Sequence, residues 1–171
     1  MPTSTFDAVP RRARRTSAAT VVALIGFVAL AQLAGATGAV LTDASWYRSL
    51  ERPSWAPPGW VFGPVWIALY TMMGVAAWLI WRRRDAPARG EALTWFGVQL
   101  ALNAAWTPVF FGLRSPGGGL AVIVALWLAI AATIACYRRC SRVAAWLMVP
   151  YLAWVTFATA LNAAIVVRVS G

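Results

Sequence analysis

Residues 16–42 contain no charged side chain, and a run of that length crosses a hydrocarbon core about 30 Å thick at a rise of about 1.5 Å per residue. It also outlasts the apolar region of a signal peptide, about 7 to 15 residues. Four further apolar stretches follow, at residues 53–81, 92–113, 115–137 and 143–167. Inside a bilayer every backbone N–H and C=O must find its partner within the protein, so long apolar runs read as spanning helices. Pro57, Pro58 and Gly59 break the second run, which places its helix start near 60–64, where proline is tolerated in a first turn. Pro108 sits where it would kink the third, and Pro116 opens the fourth.

The fold expected is therefore all-α: an integral membrane bundle of five transmembrane helices at about 18–41, 60–82, 91–112, 117–138 and 143–168. A loop at 42–59 joins the first two, and 171 residues leave room for one domain, 16–171, behind a disordered basic tail at 1–15. Composition agrees, since 61% hydrophobic and 12% charged residues lie far from a soluble globular chain.

A formal charge of +10 would suit a nucleic-acid binder, but position argues for the membrane and against nucleic acid. All fifteen basic residues are Arg, and eleven fall in three clusters beside apolar runs: Arg11, Arg12, Arg14 and Arg15; Arg82, Arg83, Arg84 and Arg89; Arg138, Arg139 and Arg142. A cytoplasmic N-terminus puts all three clusters on the cytoplasmic side and leaves Arg48, Arg52, Arg114 and Arg168 outside. The expected location is a membrane, with the 42–59 loop extracytoplasmic. Histidine is absent, and the two cysteines, Cys136 and Cys140, cannot complete a tetrahedral metal site, so no metal is expected. No carboxylate or histidine sits within the runs to couple ions to transport.

The connecting stretch WYRSLERPSWAPPGWVFGPVW, residues 46–66, is no ordinary loop. It carries Trp46, Trp55, Trp60 and Trp66, and exposed indole surface is costly, so something must cover those rings. Trp46 and Trp60 read as interfacial anchors, Trp55 with Pro57 and Pro58 as a rigid lid, and Trp66 as a pocket wall.

Three runs place polar or aromatic groups at helical spacing. Gln99, Asn103 and Thr107 recur every four residues, with Trp106 beside them; Pro150, Tyr151, Trp154, Ala158 and Asn162 share one side of the last run; Trp66, Tyr70, Met73 and Ala77 line the second. Amides at this depth must meet another helix, a water or a ligand. Facing one another, the stripes would make an aromatic pocket with a few polar handles, the usual makeup of a small-molecule site. Helix-to-helix hydrogen bonding and lipid-facing tryptophan are the competing readings. Small residues spaced by four, at Gly97, Ala101 and Ala105 and again at Ala31, Gly35 and Ala39, mark two candidate packing faces, one of them a dimer interface.

The 46–66 stretch, with LYTMMG at 69–74, LNAAW at 102–106 followed by FFGL, and PYLAWVTFATALN at 150–162, resembles the TspO/MBR family of tryptophan-rich sensory and translocator proteins, formerly the peripheral-type benzodiazepine receptors. The resemblance implies a five-helix bundle, commonly a homodimer, that binds tetrapyrroles such as protoporphyrin IX or haem as ligand rather than as an obligatory cofactor, and in animals sterols. It implies ligand-binding roles for Tyr47, Pro57, Trp66, Asn103, Trp106, Thr107, Trp154 and Ala158, and a receptor or sensor that modulates porphyrin transport or metabolism. Light-dependent porphyrin breakdown, with Trp66 and Trp154 as redox partners, and facilitated transport of tetrapyrrole or sterol are the alternatives. The animal sterol motif has no counterpart here, because Asn162 is followed by Ala163 and Ala164 with no tyrosine before Arg168. The resemblance alone, as to a bacterial-type member, implies that the membrane is a bacterial cell membrane, inner or outer.

Overall fold

The computed structural model describes residues 18–170; the basic tail expected at 1–15 lies outside them. Among the described residues there is no strand. Five long helices make the bundle: α1 (Ala18–Leu41), α3 (Phe62–Trp81), α4 (Arg89–Thr107), α5 (Pro116–Cys140) and α6 (Arg142–Ser170). A short helix, α2 (Ala44–Ser49), lies between the first two.

Among the described residues, four helical stretches are long and apolar enough to cross a membrane: Ala18–Gly38, Gly59–Trp81, Pro116–Cys140 and Arg142–Val169. The remaining long helix, α4, falls short of that apolarity because Glu91, Gln99 and Asn103 interrupt it. Gln99 and Asn103 are buried inside the bundle, which removes the amides from lipid.

The helices do not pack in chain order. The main pairings, α1 with α3, α3 with α6, α6 with α5, α5 with α4 and α4 with α1, close a ring. Its lower part, toward Arg82, is filled by Met73, Ala76, Ala77, Ile80, Ile130, Tyr137, Met148 and Tyr151. A second, smaller cluster of Phe110, Phe111, Leu161 and Ile165 sits near the loop. Space is left between them.

Two glycines set the α1–α3 contact. A Cβ on Gly74 would stand 2.5 Å from the Val28 Cα, and one on Gly35 would stand 2.0 Å from the Tyr70 ring. The small stripe of α1, expected as a packing face, thus packs inward on α3, with Ala31 fully buried. The Gly97 stripe lies on the outside: Gly97 and Ala101 are exposed, Ala105 is half-buried, and a Cβ on Gly97 would touch nothing.

Pro108 does not simply kink its helix. It opens a π-helical turn, Pro108–Gly112, closed by Leu113 N–H donating to the Pro108 carbonyl at 2.9 Å. This turn carries Phe110 and Phe111 inward. Pro150 lies inside α6 on an exposed face, and the helix runs on through it.

Candidate functional site

The space between the two clusters is a cavity of about 600 Å³. Its floor is a hydrogen-bonded relay. The Tyr70 hydroxyl donates to Asn103 Oδ1 at 2.6 Å, and Asn103 Nδ2 donates to the Tyr151 hydroxyl at 2.9 Å. One amide thereby satisfies two buried phenols on two other helices. Trp66 covers this floor, stacked on Tyr70 with centroids 5.2 Å apart and edge-on to Tyr151 at 6.2 Å.

The walls rise from four helices. Trp106 stacks on Phe110 at 4.9 Å, and its indole N–H donates to Asn162 Oδ1 at 3.4 Å. Asn162 Nδ2 in turn donates to the Pro116 carbonyl at 2.8 Å, fixing the start of α5. Opposite, Trp154 sits edge-on to Phe62 at 5.8 Å. Its Nε1–H is buried and has no hydrogen-bond partner among the described residues. Ala158, one turn on, leaves the width beside Trp154, and Gln32, Gly35 and Gly38 of α1 close the far side. Gln32 Nε2 donates to the Ile67 carbonyl and to Thr71 Oγ1, both at 3.0 Å, tying that side to α3.

Of residues 42–59, Thr42, Tyr47 and Gly59 reach the cavity. Asp43 caps α2 by accepting from the Ser45 and Trp46 N–H groups at 3.1 and 2.9 Å. It also pairs with Arg114 at 3.1 Å, across from the turn after Phe111. Arg114 is the one non-glycine residue with positive φ, 48°, among those described. The Asp43 carboxyl is lowered to about 2, chiefly by the Ser45 hydroxyl and the Trp46 N–H, with Arg114 adding to them. A depressed carboxylate pKa favours the structure above its ordinary value of 3.8 and loses that contribution only as pH falls toward 2. The clasp is therefore closed at neutral pH.

Of the residues expected to bind ligand, Tyr47, Trp66, Asn103, Trp106, Thr107, Trp154 and Ala158 line this one cavity. Pro57 does not, nor do the expected lid residues Trp55 and Pro58. Trp55, half exposed, packs edge-on against Phe157 at 5.7 Å, and Phe157 contacts Trp154 at 5.5 Å, so it touches the wall only through an intermediary. Trp46 turns inward against Phe110 and Phe111 at 5.5 and 6.0 Å instead of anchoring outward, whereas Trp60 is 76% exposed. Gln99 does not line the cavity and is fully buried, with neither amide atom bonded among the described residues. Sequence reasoning left out Phe62, Phe110, Phe111 and the α1 glycines; the FFGL motif was the available signal for two of them. Cys136 and Cys140 are free thiols, and Cys136 donates to Glu91 Oε1 at 3.3 Å. No cluster of metal-ligating side chains occurs among the described residues.

An aromatic cavity lined by Tyr47, Phe62 and Trp66, floored by the LYTMMG and LNAAW segments and walled by Trp154 and Ala158, joins the four stretches that carried the resemblance. The TspO/MBR family model matches residues 27–168. The chain belongs to the TspO/MBR family. It is 42% identical over 137 residues to protein CrtK of Rhodobacter capsulatus, covering 80% of this chain and 85% of that one. To the tryptophan-rich sensory protein of Cereibacter sphaeroides it is 42% identical over 136 residues, covering 80% and 84%. To the translocator protein of Homo sapiens it is 44% identical over 120 residues, covering 68% and 70%. The TspO/MBR match spans all five long helices, α1 from Phe27 onward, together with the 42–59 loop.

Proposed function

We propose that this chain is a membrane receptor that binds tetrapyrroles, protoporphyrin IX or haem, in the cavity under the 42–59 loop and modulates porphyrin transport or metabolism. The observation that carries the reading is the Trp154 indole: a buried N–H without a partner among the described residues, set in an aromatic wall. A buried unpaired donor costs free energy that a ligand acceptor would recover. Planar π-surface between Trp66 and Trp154 would gain from stacking. Arg52 lies over the ring of the cavity-lining Tyr47 at 5.0 Å, and Arg48 is exposed on the same short helix as Tyr47, two cations that would suit acidic side groups of the ligand. The names of relatives, sensory and translocator protein, support sensing and transport readings of the same site.

Titrating the purified protein with protoporphyrin IX and following tryptophan quenching tests this. Trp66→Ala and Trp154→Ala should each weaken binding about tenfold or more, as loss of a buried aromatic anchor does. Wild-type affinity in both variants would remove the cavity from consideration.

The second reading, light-dependent porphyrin degradation, is favoured by the stacking of Trp66 on Tyr70 at the floor. It requires a new product spectrum on illumination that Trp66→Phe and Trp154→Phe abolish. Bleaching at the rate of free porphyrin counts against it.

The basic end of the bundle supports a cytoplasmic N-terminus, and similarity to the Rhodobacter capsulatus and Cereibacter sphaeroides proteins supports a bacterial cell membrane. The exposed Gly97 and Ala101 face, with Ala105 at its edge, supports a homodimer through α4. Ala101→Cys should cross-link between copies in the membrane, while a cysteine at exposed Val22 of α1 should not; the reverse result would move the interface to α1.

A further inference from the structure

The arginines at the end of the bundle opposite the loop are not equivalent. Arg82 lies over the Trp78 ring at 4.6 Å and Arg84 over Trp81 at 5.9 Å, while Arg89 Nε donates to the Trp81 carbonyl at 3.0 Å. These cations are occupied by the end of α3. Arg138 and Arg142 have no carboxylate or ring partner among the described residues. With Arg139 and Ala135 they line a shallow, open hollow on the surface. Arg139 pairs with Glu91 at 2.9 Å yet keeps 61% of its side chain exposed. Three arginines thus border one open hollow, and only one of them is paired with a carboxylate.

What adjoins the hollow is apolar. Beyond Ala135, α5 exposes Leu128 at 58% and Val124 at 44%. Beyond Arg142, α6 exposes Val143 at 63% and Trp146 at 71%. The two helices pack along their length and are tied partway by Trp127 Nε1 donating to Thr156 Oγ1 at 2.8 Å. A cationic hollow with exposed apolar side chains on the same two helices matches a molecule with an anionic head and hydrocarbon tails. Guanidinium forks suit phosphate oxygens, and cations at the membrane surface gain most from anionic lipid.

We infer that the hollow formed by Arg138, Arg139 and Arg142 binds the phosphodiester headgroup of an anionic phospholipid whose acyl chains lie along the outer faces of α5 and α6. The site is separate from the cavity under the loop and stands whether or not that cavity takes tetrapyrrole.

Native mass spectrometry of the full chain, released from micelles holding equal phosphatidylglycerol and phosphatidylcholine, reads it directly. Wild type should retain phosphatidylglycerol preferentially. Arg138→Gln with Arg142→Gln should cut that retention about tenfold, two interfacial cations being lost. Arg82→Gln with Arg84→Gln removes the same charge from the same end and should retain the lipid. Equal loss in both pairs would mean diffuse attraction and overturn the site, as would no loss in the first pair. Displacement of the lipid by inorganic phosphate alone would also overturn it, because the acyl chains would then contribute nothing. All four positions are exposed, and unchanged helical circular dichroism confirms that each variant is folded.

Discussion

Gly74→Ala should destabilise the protein by about 2 kcal/mol or more, although the same change in a helix interior normally stabilises by up to about 1 kcal/mol. The sign is decided by the neighbour. The new Cβ would stand 2.5 Å from Val28 Cα, 2.8 Å from Val28 N and 2.9 Å from the Phe27 carbonyl oxygen. These are backbone atoms of α1, which cannot rotate aside as a side-chain tip can. The helices would have to separate, loosening the bonds that straddle the contact: Trp78 Nε1 to the Thr20 carbonyl at 2.9 Å below it, and Gln32 to Ile67 and Thr71 above. Gly26→Ala is the matched control, since a Cβ there meets nothing, and it should hold or raise stability. Thermal unfolding in one detergent compares the two. A melting temperature for Gly74→Ala equal to or above wild type would show that α1 is not locked to α3 there.

The contrast between these glycines also marks what a sequence discloses. Apolar runs gave the helices, because helix is the local solution to backbone bonding in lipid. Asn103 and Trp154 were legible as site residues because spacing by four places them on helix faces with other aromatic and polar groups. The two small-residue stripes were indistinguishable. Gly35 meets Tyr70 and Gly97 meets open surface only because the ring closes α1 onto α3 and turns α4's other side inward, a tertiary choice with no local signal. The α2 helix was hidden for another reason: six residues are too few for a period, and what holds it is the Asp43 cap and Trp46 packing on Phe110 and Phe111. The π-turn was read as a kink because proline reports a missing N–H, not how the neighbouring carbonyls are then bonded.

Asn103→Leu should cost about 2 to 4 kcal/mol, the penalty for leaving two buried hydroxyls without partners. Asn103 accepts from Tyr70 and donates to Tyr151, and few side chains can do both from one position. Leucine is near it in size, so the loss is polar more than steric. The cost should reach the ligand as well, because Tyr70, stacked under Trp66, would lose the tether that orients both rings at the cavity floor. Protoporphyrin affinity is therefore expected to fall together with melting temperature. The explanation is separable from a general packing defect. Removing the phenols too, as Tyr70→Phe and Tyr151→Phe in the Asn103→Leu background, abolishes the unpaired donors and should recover much of the lost stability, since deleting all partners of a buried bond is nearly neutral. A triple variant less stable than Asn103→Leu alone would show that the relay's hydrogen bonds are not what holds the floor in place.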